Sequence, residues 1–455
     1  MGRNGTHPYL PMTEDERKKA LYAAGLKEGE LFSSIPDELR LKRPLDLPAA
    51  SGELELTREF HALMSRNTTT AQAISFLGGG VYDHFVPAAV DAIASRGEFV
   101  TAYTPYQAEA SQGSLAAFFE FQTMIVQLTG MEVANAGVYD GATATAESVL
   151  MARRLTKGRG GAVVVSAAVH PEYVEVLRTY LQWNGIEMRL APADNGATDC
   201  GQLERLAKGS FAAVVANPNV YGSVEDLAGL FAAAKREGAL CIAVANPITL
   251  GVLEAPGAFG ADIVCGDGQP LGCYQNFGGP SFGFMAARRK DVRQLPGRLV
   301  GETTDAEGRR GFCLTLQTRE QHIRRERATS NICTNHALMT IRATVYMALL
   351  GPRGLAEVAR QCAAKAHYAA AKIAALPGYR LTYGAPFFHE FVVTCPRPAS
   401  DVAAQAALEG IFPGVPLSRL WPERTGELLI AVTEKRTRED IDRLVGALGR
   451  IGGVR

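Results

Sequence analysis

The sequence contains 455 residues, of which 47% are hydrophobic, and its 47 basic and 47 acidic side chains give a formal net charge of +0. A chain of this length forms about two or three domains, and this hydrophobic content supports a large core and argues against intrinsic disorder. The neutral balance argues against a general binder of nucleic acid or of anionic membranes. No window approaches the roughly 18 consecutive apolar residues of a membrane span.

The first twenty residues and the cysteines indicate the cellular compartment. Glu14, Asp15 and Glu16 follow a start that has no apolar signal core, so we predict a cytoplasmic protein. The eight cysteines are scattered and form no close CxxC pair, which is typical of buried thiols in a reducing cytosol. The eight histidines are equally dispersed, and no spacing of His, Cys and carboxylates suggests a metal site.

Residues 1–70 are predicted to form an N-terminal arm with helices. Thr13 followed by Glu16 is a capping box, and Gly25 is a fitting stop for the helix that the box begins. Residues 35–48 are punctuated by prolines. We interpret them as an extended arm that wraps another surface, with a solvated linker as the alternative.

Three glycines precede an aromatic residue, an acid and a histidine in residues 76–87, FLGGGVYDHFVP. Glycines permit backbone conformations that other residues avoid. One interpretation is a loop that lines a site, with Asp83 or His84 near a ligand. The other is a tight turn into a helix, with His84 as a satisfied surface or interface group.

A polar loop comes next, at residues 103–113, with two tyrosines, a proline, two glutamines and an acid. The helix that follows is predicted to stop at Gly130. Gly141 then precedes Ala142 and Thr143 at another helix start, where unpaired amides and the helix dipole can hold a phosphate. An ordinary capped helix is the alternative at this turn.

From about residue 160, short β-branched runs alternate with helical patterns. This alternation predicts a mainly parallel, doubly wound sheet, in which ligands bind at the carboxyl ends of the strands. His170, Asn217 and Asn246 follow such strands. After about residue 330, long apolar helices and several strand patterns predict a small α+β domain.

Long blocks in a fixed order carry a family resemblance. They are FLGGGVYDHFVPAAVDAIASRGEF (residues 76–99), TAYTPYQAEASQG (101–113), FEFQTMIVQLTGMEVANAGVYDGATATAES (119–148), FGGPSFGFMAAR (277–288) and IRRERATSNICTNHAL (323–338). In these blocks the chain resembles the P-protein (glycine decarboxylase) family of the glycine cleavage system, and within it the alpha subunit of the two-subunit form. The resemblance covers nearly the whole chain.

The resemblance implies an α/β fold of the fold type I class of pyridoxal phosphate (PLP) dependent transferases. We therefore expect a large domain at residues 71–330 and a smaller C-terminal α+β domain at 331–455. The implied reaction is that of glycine dehydrogenase (aminomethyl-transferring). Glycine loses CO2 on PLP, which acts as the electron sink, and the aminomethyl group passes to the lipoyl arm of the carrier H-protein.

A fold type I site needs a lysine, an acid at the pyridine nitrogen and a ring that stacks on the cofactor. His170 is the stacking candidate, although it could equally be a loop histidine that begins a helix. Asn246 lies where the acid is expected, and Gln269 and Pro270 lie where the lysine is expected. The sequence has no lysine between Lys235 and Lys290.

We therefore expect a vestigial cofactor pocket made of Gly141, Ala142, Thr143, His170, Asn246, Gln269 and Pro270. The resemblance implies that a beta subunit, in an α2β2 assembly, supplies the lysine and binds the PLP. This chain is then expected to complete the shared site with residues 103–113, the block that matches the family most closely. The residues expected to face the site are Tyr103, Tyr106, Gln107, Glu109, Ser111, Gln112 and Gly113. Ala108 departs from the proline common in the family, so the loop is expected to be less rigid here.

Other interpretations of the sequence stay open. The loop at residues 103–113 could only pack an interface, and the chain could be a non-catalytic scaffold subunit of the same complex. A self-sufficient PLP lyase could use another lysine, such as Lys290, which otherwise reads as a solvated surface residue. A nucleotide-binding α/β enzyme is disfavoured because the chain has no strand–GxGxxG–helix unit.

Overall fold

The computed structural model describes residues 12–453, and the chain divides into two compact units, the first ending at Thr68 and the second beginning at Thr69. The α-helices, in chain order, are α1 Glu14–Ala23, α2 Glu53–Met64, α3 Ala88–Ala94, α4 Gly97–Val100, α5 Gln112–Thr129, α6 Gly141–Leu155, α7 Pro171–Gln182, α8 Cys200–Ala207, α9 Leu227–Arg236, α10 Gln321–Arg324, α11 Ala337–Ala374, α12 Ala399–Leu408 and α13 Arg438–Ile451. The strands are β1 Ile74–Ser75, β2 Val133–Ala134, β3 Ala162–Ser166, β4 Glu187–Ala191, β5 Ala193–Asp194, β6 Ala197–Thr198, β7 Ser210–Asn217, β8 Leu240–Ala245, β9 Ile263–Asp267, β10 Gly283–Ala287, β11 Leu299–Thr304, β12 Arg310–Thr315, β13 Arg380–Leu381, β14 Glu390–Thr394, β15 Ile411–Phe412, β16 Val415–Pro416 and β17 Glu427–Ala431.

The first unit begins with the predicted capping box, which the structure confirms. The Thr13 hydroxyl accepts a hydrogen bond from the Glu16 amide, and the Glu16 carboxylate accepts one from the Thr13 amide. Helix α1 ends at Ala23, and Gly25 follows with a φ of 68°. Neither α1 nor α2 buries a side chain. These two helices therefore have no apolar core of their own.

The second unit is built on a seven-stranded sheet with the order β2-β10-β9-β8-β7-β3-β4. The pairs from β9 to β4 are parallel, while β10 is antiparallel to both of its neighbours. All eight residues of β7 are buried, as expected for a strand covered by helices on both faces. The predicted parallel doubly wound sheet is confirmed.

Helices on the two faces of this sheet enclose separate apolar clusters. One cluster includes Phe121, Phe231 and Phe284, and the other includes Met151 and Phe211. Helix α11 packs against α3 and α5. Gly130, with a φ of 66°, ends α5 as predicted.

A four-stranded antiparallel sheet, β13-β14-β17-β16, forms the core of the C-terminal part together with α12 and α13. The second half of α11 packs against this layer. Gly351, with a φ of 58°, interrupts α11 just before Pro352. The predicted small α+β arrangement is therefore present.

Among residues 12–453, no helix combines the length and the apolar character needed to cross a bilayer.

Candidate functional site

A cleft of about 180 Å³ opens at the carboxyl ends of the parallel strands, where doubly wound proteins bind ligands. The glycines of the predicted loop form part of its wall. The lining also includes three of the predicted pocket residues. The main lining residues are Gly79, Gly80, Tyr82, His170, Tyr173, Asn246, Asp267, Pro270 and Glu390.

The turn at the start of α6 lies beside this cleft, but two of its amides already have partners. The Asp140 carboxylate caps the helix by accepting from the Thr143 amide at 2.7 Å. The Asp267 carboxylate accepts from the Gly141 amide at 3.0 Å. A Cβ at Gly141 would lie 2.8 Å from Cβ of Asp267. The alternative of a capped helix is therefore what the structure shows at Gly141, Ala142 and Thr143.

His170 caps α7, where its Nδ1 accepts a hydrogen bond from the Glu172 amide at 3.3 Å. Burial lowers the pKa of the His170 imidazole, so the ring is neutral near pH 7. Its ring centroid lies 5.7 Å from that of Tyr173. His170 is therefore positioned for a neutral ring contact in the cleft.

Asn246 and Gln269 differ in how much of their hydrogen-bonding capacity is used. The Asn246 side-chain oxygen accepts from the Ile248 amide at 3.0 Å, while its buried Nδ2 has no partner within the described chain. The Gln269 side chain exchanges two hydrogen bonds with the backbone of Tyr82 and donates a third to the Cys273 carbonyl. Gln269 thus holds the glycine loop against the sheet.

Two buried carboxyl groups set the electrostatics of the cleft. Glu390 accepts hydrogen bonds from the Gly79 amide at 2.7 Å and from the Tyr82 hydroxyl at 2.9 Å. Burial raises the pKa of Glu390 to about 7, and burial also raises the pKa of Asp267. Sequence reasoning missed both acids, because nothing local in the sequence links them to the glycine loop.

The residues of this cleft do not fit PLP. Its described lining includes no lysine or arginine. Asn246, which lies where the resemblance leads us to expect the pyridine acid, has no carboxylate. Asp267 already accepts from the Gly141 amide at the start of α6. An anion at the start of α6 would meet the carboxyl groups of Asp140 and Asp267, which already accept from the Thr143 and Gly141 amides. Lys290, the alternative lysine, is exposed and is not a lining residue of the cleft.

The polar loop at residues 103–113 contributes no residue to the described lining of the cleft. Tyr103 is 78% exposed and Tyr106 is 50% exposed. Gln107, Glu109 and Gly113 are also exposed, and Ser111 is half-buried. The structure therefore places the predicted shared-site residues on an outer surface, apart from the predicted vestigial pocket.

Gln112 has a clear structural contact. Its side-chain oxygen accepts from the Phe312 amide at 2.9 Å, and its nitrogen donates to the Phe312 carbonyl at 2.8 Å. This pair of bonds ties the start of α5 to strand β12.

Tyr106 rests on a buried arginine that sequence reasoning did not single out. Arg298, which is only 6% exposed, donates to the Tyr106 hydroxyl at 3.3 Å and to the Cys333 carbonyl at 2.7 Å. Its guanidinium carbon lies 5.6 Å from the Tyr106 ring centroid. The His322 ring meets the Tyr106 ring edge-on at 5.9 Å. Two of the contacts around Tyr106 and Arg298 come from or next to residues 323–338, since Cys333 lies within this block and His322 immediately precedes it. The family resemblance of that block was the feature of the sequence that could have indicated this site.

Asp83 and His84 have partners in the C-terminal part of the chain. Asp83 pairs with Lys435 at 2.6 Å and Arg436 at 3.0 Å. His84 is buried and its Nδ1 lies 2.7 Å from a Glu434 carboxylate oxygen. These contacts agree with a tight turn at Asp83, but His84 lies in the interior and only its Nδ1 has a partner within the described residues. Gly79, Gly80 and Tyr82 of the same loop line the cleft.

The sheet order and the two-part architecture define a protein of the PLP-dependent fold type I class. Sphingosine-1-phosphate lyase of Burkholderia pseudomallei shares this fold with a TM-score of 0.66 at 15% identity, over 92% of this chain and 94% of that chain. The family model of the glycine cleavage system P-protein matches residues 7–448. The chain belongs to the glycine cleavage system P-protein family.

Individual relatives match along their whole length. The chain is 50% identical over 98% of its length to a probable glycine dehydrogenase (decarboxylating) subunit 1 of Chlorobium limicola, covering 100% of that protein. It is 48% identical over 97% of its length to the corresponding protein of Geobacillus kaustophilus, covering 99% of it. A crystal structure of an inhibitor-bound glycine decarboxylase (P-protein) matches 98% of this chain and 100% of that chain, with a TM-score of 0.89 at 46% identity.

Proposed function

We propose that this chain is the first subunit of a glycine decarboxylase whose second subunit binds PLP and carries its lysine. One observation carries the proposal. The chain keeps an exposed polar loop at residues 103–113 over the buried Arg298, while its own cleft does not fit the cofactor. Full-length similarity to proteins named subunit 1 supports a second subunit.

In this proposal the loop completes the partner's site. PLP on the partner supplies the electron sink. Arg298 orients the Tyr106 hydroxyl, and an arginine-supported tyrosine suits the carboxylate of glycine. The exposed Gln107 and Glu109 close over the reacting centre and exclude water. The lipoyl group of H-protein then takes up the aminomethyl group.

The N-terminal unit is proposed to contact the same partner. Leu39, Leu45 and Leu47 of the proline-punctuated arm are 73%, 66% and 71% exposed, and Phe60 of α2 is 58% exposed. Exposed apolar side chains in such numbers are typical of an interface. A permanent interface of this kind buries on the order of 2,000 Å² or more.

Co-expression tests the function. The chain and the lysine-bearing homologue should form one species in sedimentation, proposed to be α2β2. That species should exchange labelled CO2 with the glycine carboxyl, and each chain alone should be inactive. Exchange catalysed by this chain alone would refute the proposal.

A scaffold subunit that touches no substrate is the second candidate, and the Gln112 bonds to β12 favour it because they show that part of the loop serves packing. The two candidates differ in one readout. A scaffold tolerates loss of the Tyr106 hydroxyl without loss of turnover.

A further inference from the structure

A largely buried cluster of potential metal ligands includes no lining residue of the cleft and no residue of the loop 103–113. His84, Cys362 and Glu434 each offer one ligand atom, and the three atoms lie within 4.8 Å of one another. The His84 Nδ1 is 2.7 Å and the Cys362 Sγ is 3.4 Å from the same carboxylate oxygen of Glu434. We propose that this cluster is a zinc site.

The two distances to Glu434 are close to those that zinc requires, and the His84 and Cys362 ligand atoms lie within 4.8 Å of each other. Zinc binds imidazole nitrogen at about 2.0–2.1 Å and thiolate sulfur at about 2.3 Å, so tetrahedral ligand atoms lie roughly 3.3–3.7 Å apart. The Cys362–Glu434 distance already falls in this range. The His84–Glu434 contact is a hydrogen bond of 2.7 Å, and it needs to open by about half an ångström.

His389 supplies a second, independent observation. It is 3% exposed, and neither of its ring nitrogens has a partner within the described chain. Its ring centroid lies 6.4 Å from that of His84, whose Nε2 is also buried and unpaired there. A buried ring nitrogen without a partner is unfavourable, because burial removes its hydrogen bonds to water. His389 is therefore the candidate for the fourth ligand, and this role requires its ring to move toward the three ligand atoms.

The chemistry of the ligands selects the ion. One thiolate, two imidazoles and one carboxylate suit zinc, whereas magnesium and calcium require oxygen ligands. Zinc would displace the thiol proton that Cys362 now shares with Glu434. The ammonium of Lys365 is hydrogen-bonded to the backbone carbonyl of Glu434, so this cation is directed to the main chain.

The position of the cluster gives the ion a structural role. His84 follows the glycine loop, Cys362 lies in α11, His389 immediately precedes β14, and Glu434 follows β17. These segments are remote in sequence, so an ion here fastens the glycine loop to the C-terminal sheet. The inference does not depend on the proposed function.

Metal titration of the full chain tests the site. After removal of metals with a chelator, wild-type protein titrated with Zn²⁺ against a chromophoric chelator should take up one ion per chain. Cys362→Ser and Glu434→Gln should each weaken binding at least about 100-fold, since even an outer-shell change costs 10–100-fold. Cys395→Ser is the matched control, because Cys395 is also a buried free cysteine outside the cluster, and it should bind like wild type.

Cobalt keeps the test decisive if a variant fails to fold. Co²⁺ bound to the wild-type chain should show a thiolate-to-metal charge-transfer band, and that band should persist in Cys395→Ser. Wild-type protein that takes up no zinc, or that binds cobalt without the thiolate band, would overturn the proposal.

Discussion

Tyr106 is the residue whose side chain best separates a catalytic loop from a packing loop. Its hydroxyl is held by Arg298 while half of the residue stays exposed. Such a group is oriented but still available to a ligand from another chain. Its energetic contribution can be measured without disturbing the core.

We expect Tyr106→Phe to lower turnover of the co-expressed complex about 10- to 100-fold, because a hydrogen bond to a charged group is worth about 1.5–3 kcal/mol. The measurement is glycine–CO2 exchange, with sedimentation to show that the complex persists. Tyr368→Phe is the control, since it also removes a hydroxyl contact, to Asp442 at 2.7 Å. If Tyr106→Phe turns over as fast as wild type, the Tyr106 hydroxyl has no catalytic role and the loop only packs an interface.

Glu390 makes a pH-dependent contribution whose sign can be stated. Burial raises its folded-state pKa from an ordinary value of 4.5 to about 7, so between these values the folded chain binds more protons than the unfolded chain. Stability therefore decreases as pH rises through this window. Glu390→Gln lacks this pH-dependent loss of stability. The free energy of unfolding of the variant, minus that of wild type, should therefore rise by about 3 kcal/mol from pH 4 to pH 8.

Denaturant titrations at several pH values measure this difference. Glu204→Gln is the control of opposite sign, because the Arg236 guanidinium lowers the pKa of Glu204, and its relative stability should fall with rising pH. If the difference in free energy of unfolding between Glu390→Gln and wild type does not change with pH, the raised pKa of Glu390 is contradicted.

The sequence predicts some residues of the cleft but not others, for a physical reason. His170 and Asn246 follow buried strands, and a parallel sheet brings such strand ends to one edge. The Tyr82 hydroxyl and Glu390 are 308 residues apart, and no local pattern records their contact. The same holds for the proposed zinc ligands, because spacing rules detect only ligands that are close in sequence.

At the scale of elements, the parallel strands were predictable and the hairpin β11–β12 was not. Strands such as β7 are continuous apolar runs, whereas Glu302, Thr303 and Thr304 of β11 are exposed. A short, partly solvated hairpin has a weak hydrophobic pattern. Two glutamines of α5, Gln112 and Gln122, hold this hairpin through its backbone.

These glutamines form a matched pair for a stability test. Gln122 is buried and exchanges hydrogen bonds of 3.0 and 2.9 Å with Val300, while Gln112 makes the equivalent bonds near solvent. Gln122→Ala should destabilise the chain by about 2–4 kcal/mol because two buried backbone groups lose their partner, and Gln112→Ala by about 1 kcal/mol because water replaces it. Chemical denaturation measures both, and equal effects would contradict this account.

For the whole molecule, the decisive prediction concerns the cofactor. The purified chain should bind no PLP covalently. No lysine lines the described cleft, and the Asp267 carboxylate lies at the start of helix α6. Borohydride treatment followed by mass spectrometry should give a pyridoxyl-lysine on the partner in the complex, and none on this chain. A stoichiometric adduct on this chain would contradict the two-subunit interpretation and would make Lys290 the first candidate for the modified lysine.

The exposed leucines of the N-terminal arm have a consequence for the cell. In the proposed assembly, each copy made in excess of its partner is left with an uncovered apolar surface, which chaperones and proteases recognise. Yield of active enzyme is then limited by the scarcer chain, and surplus of this one is degraded or aggregates. In the proposed assembly, the exposed apolar side chains of residues 35–64 therefore require that the two subunits be synthesised in equal amounts.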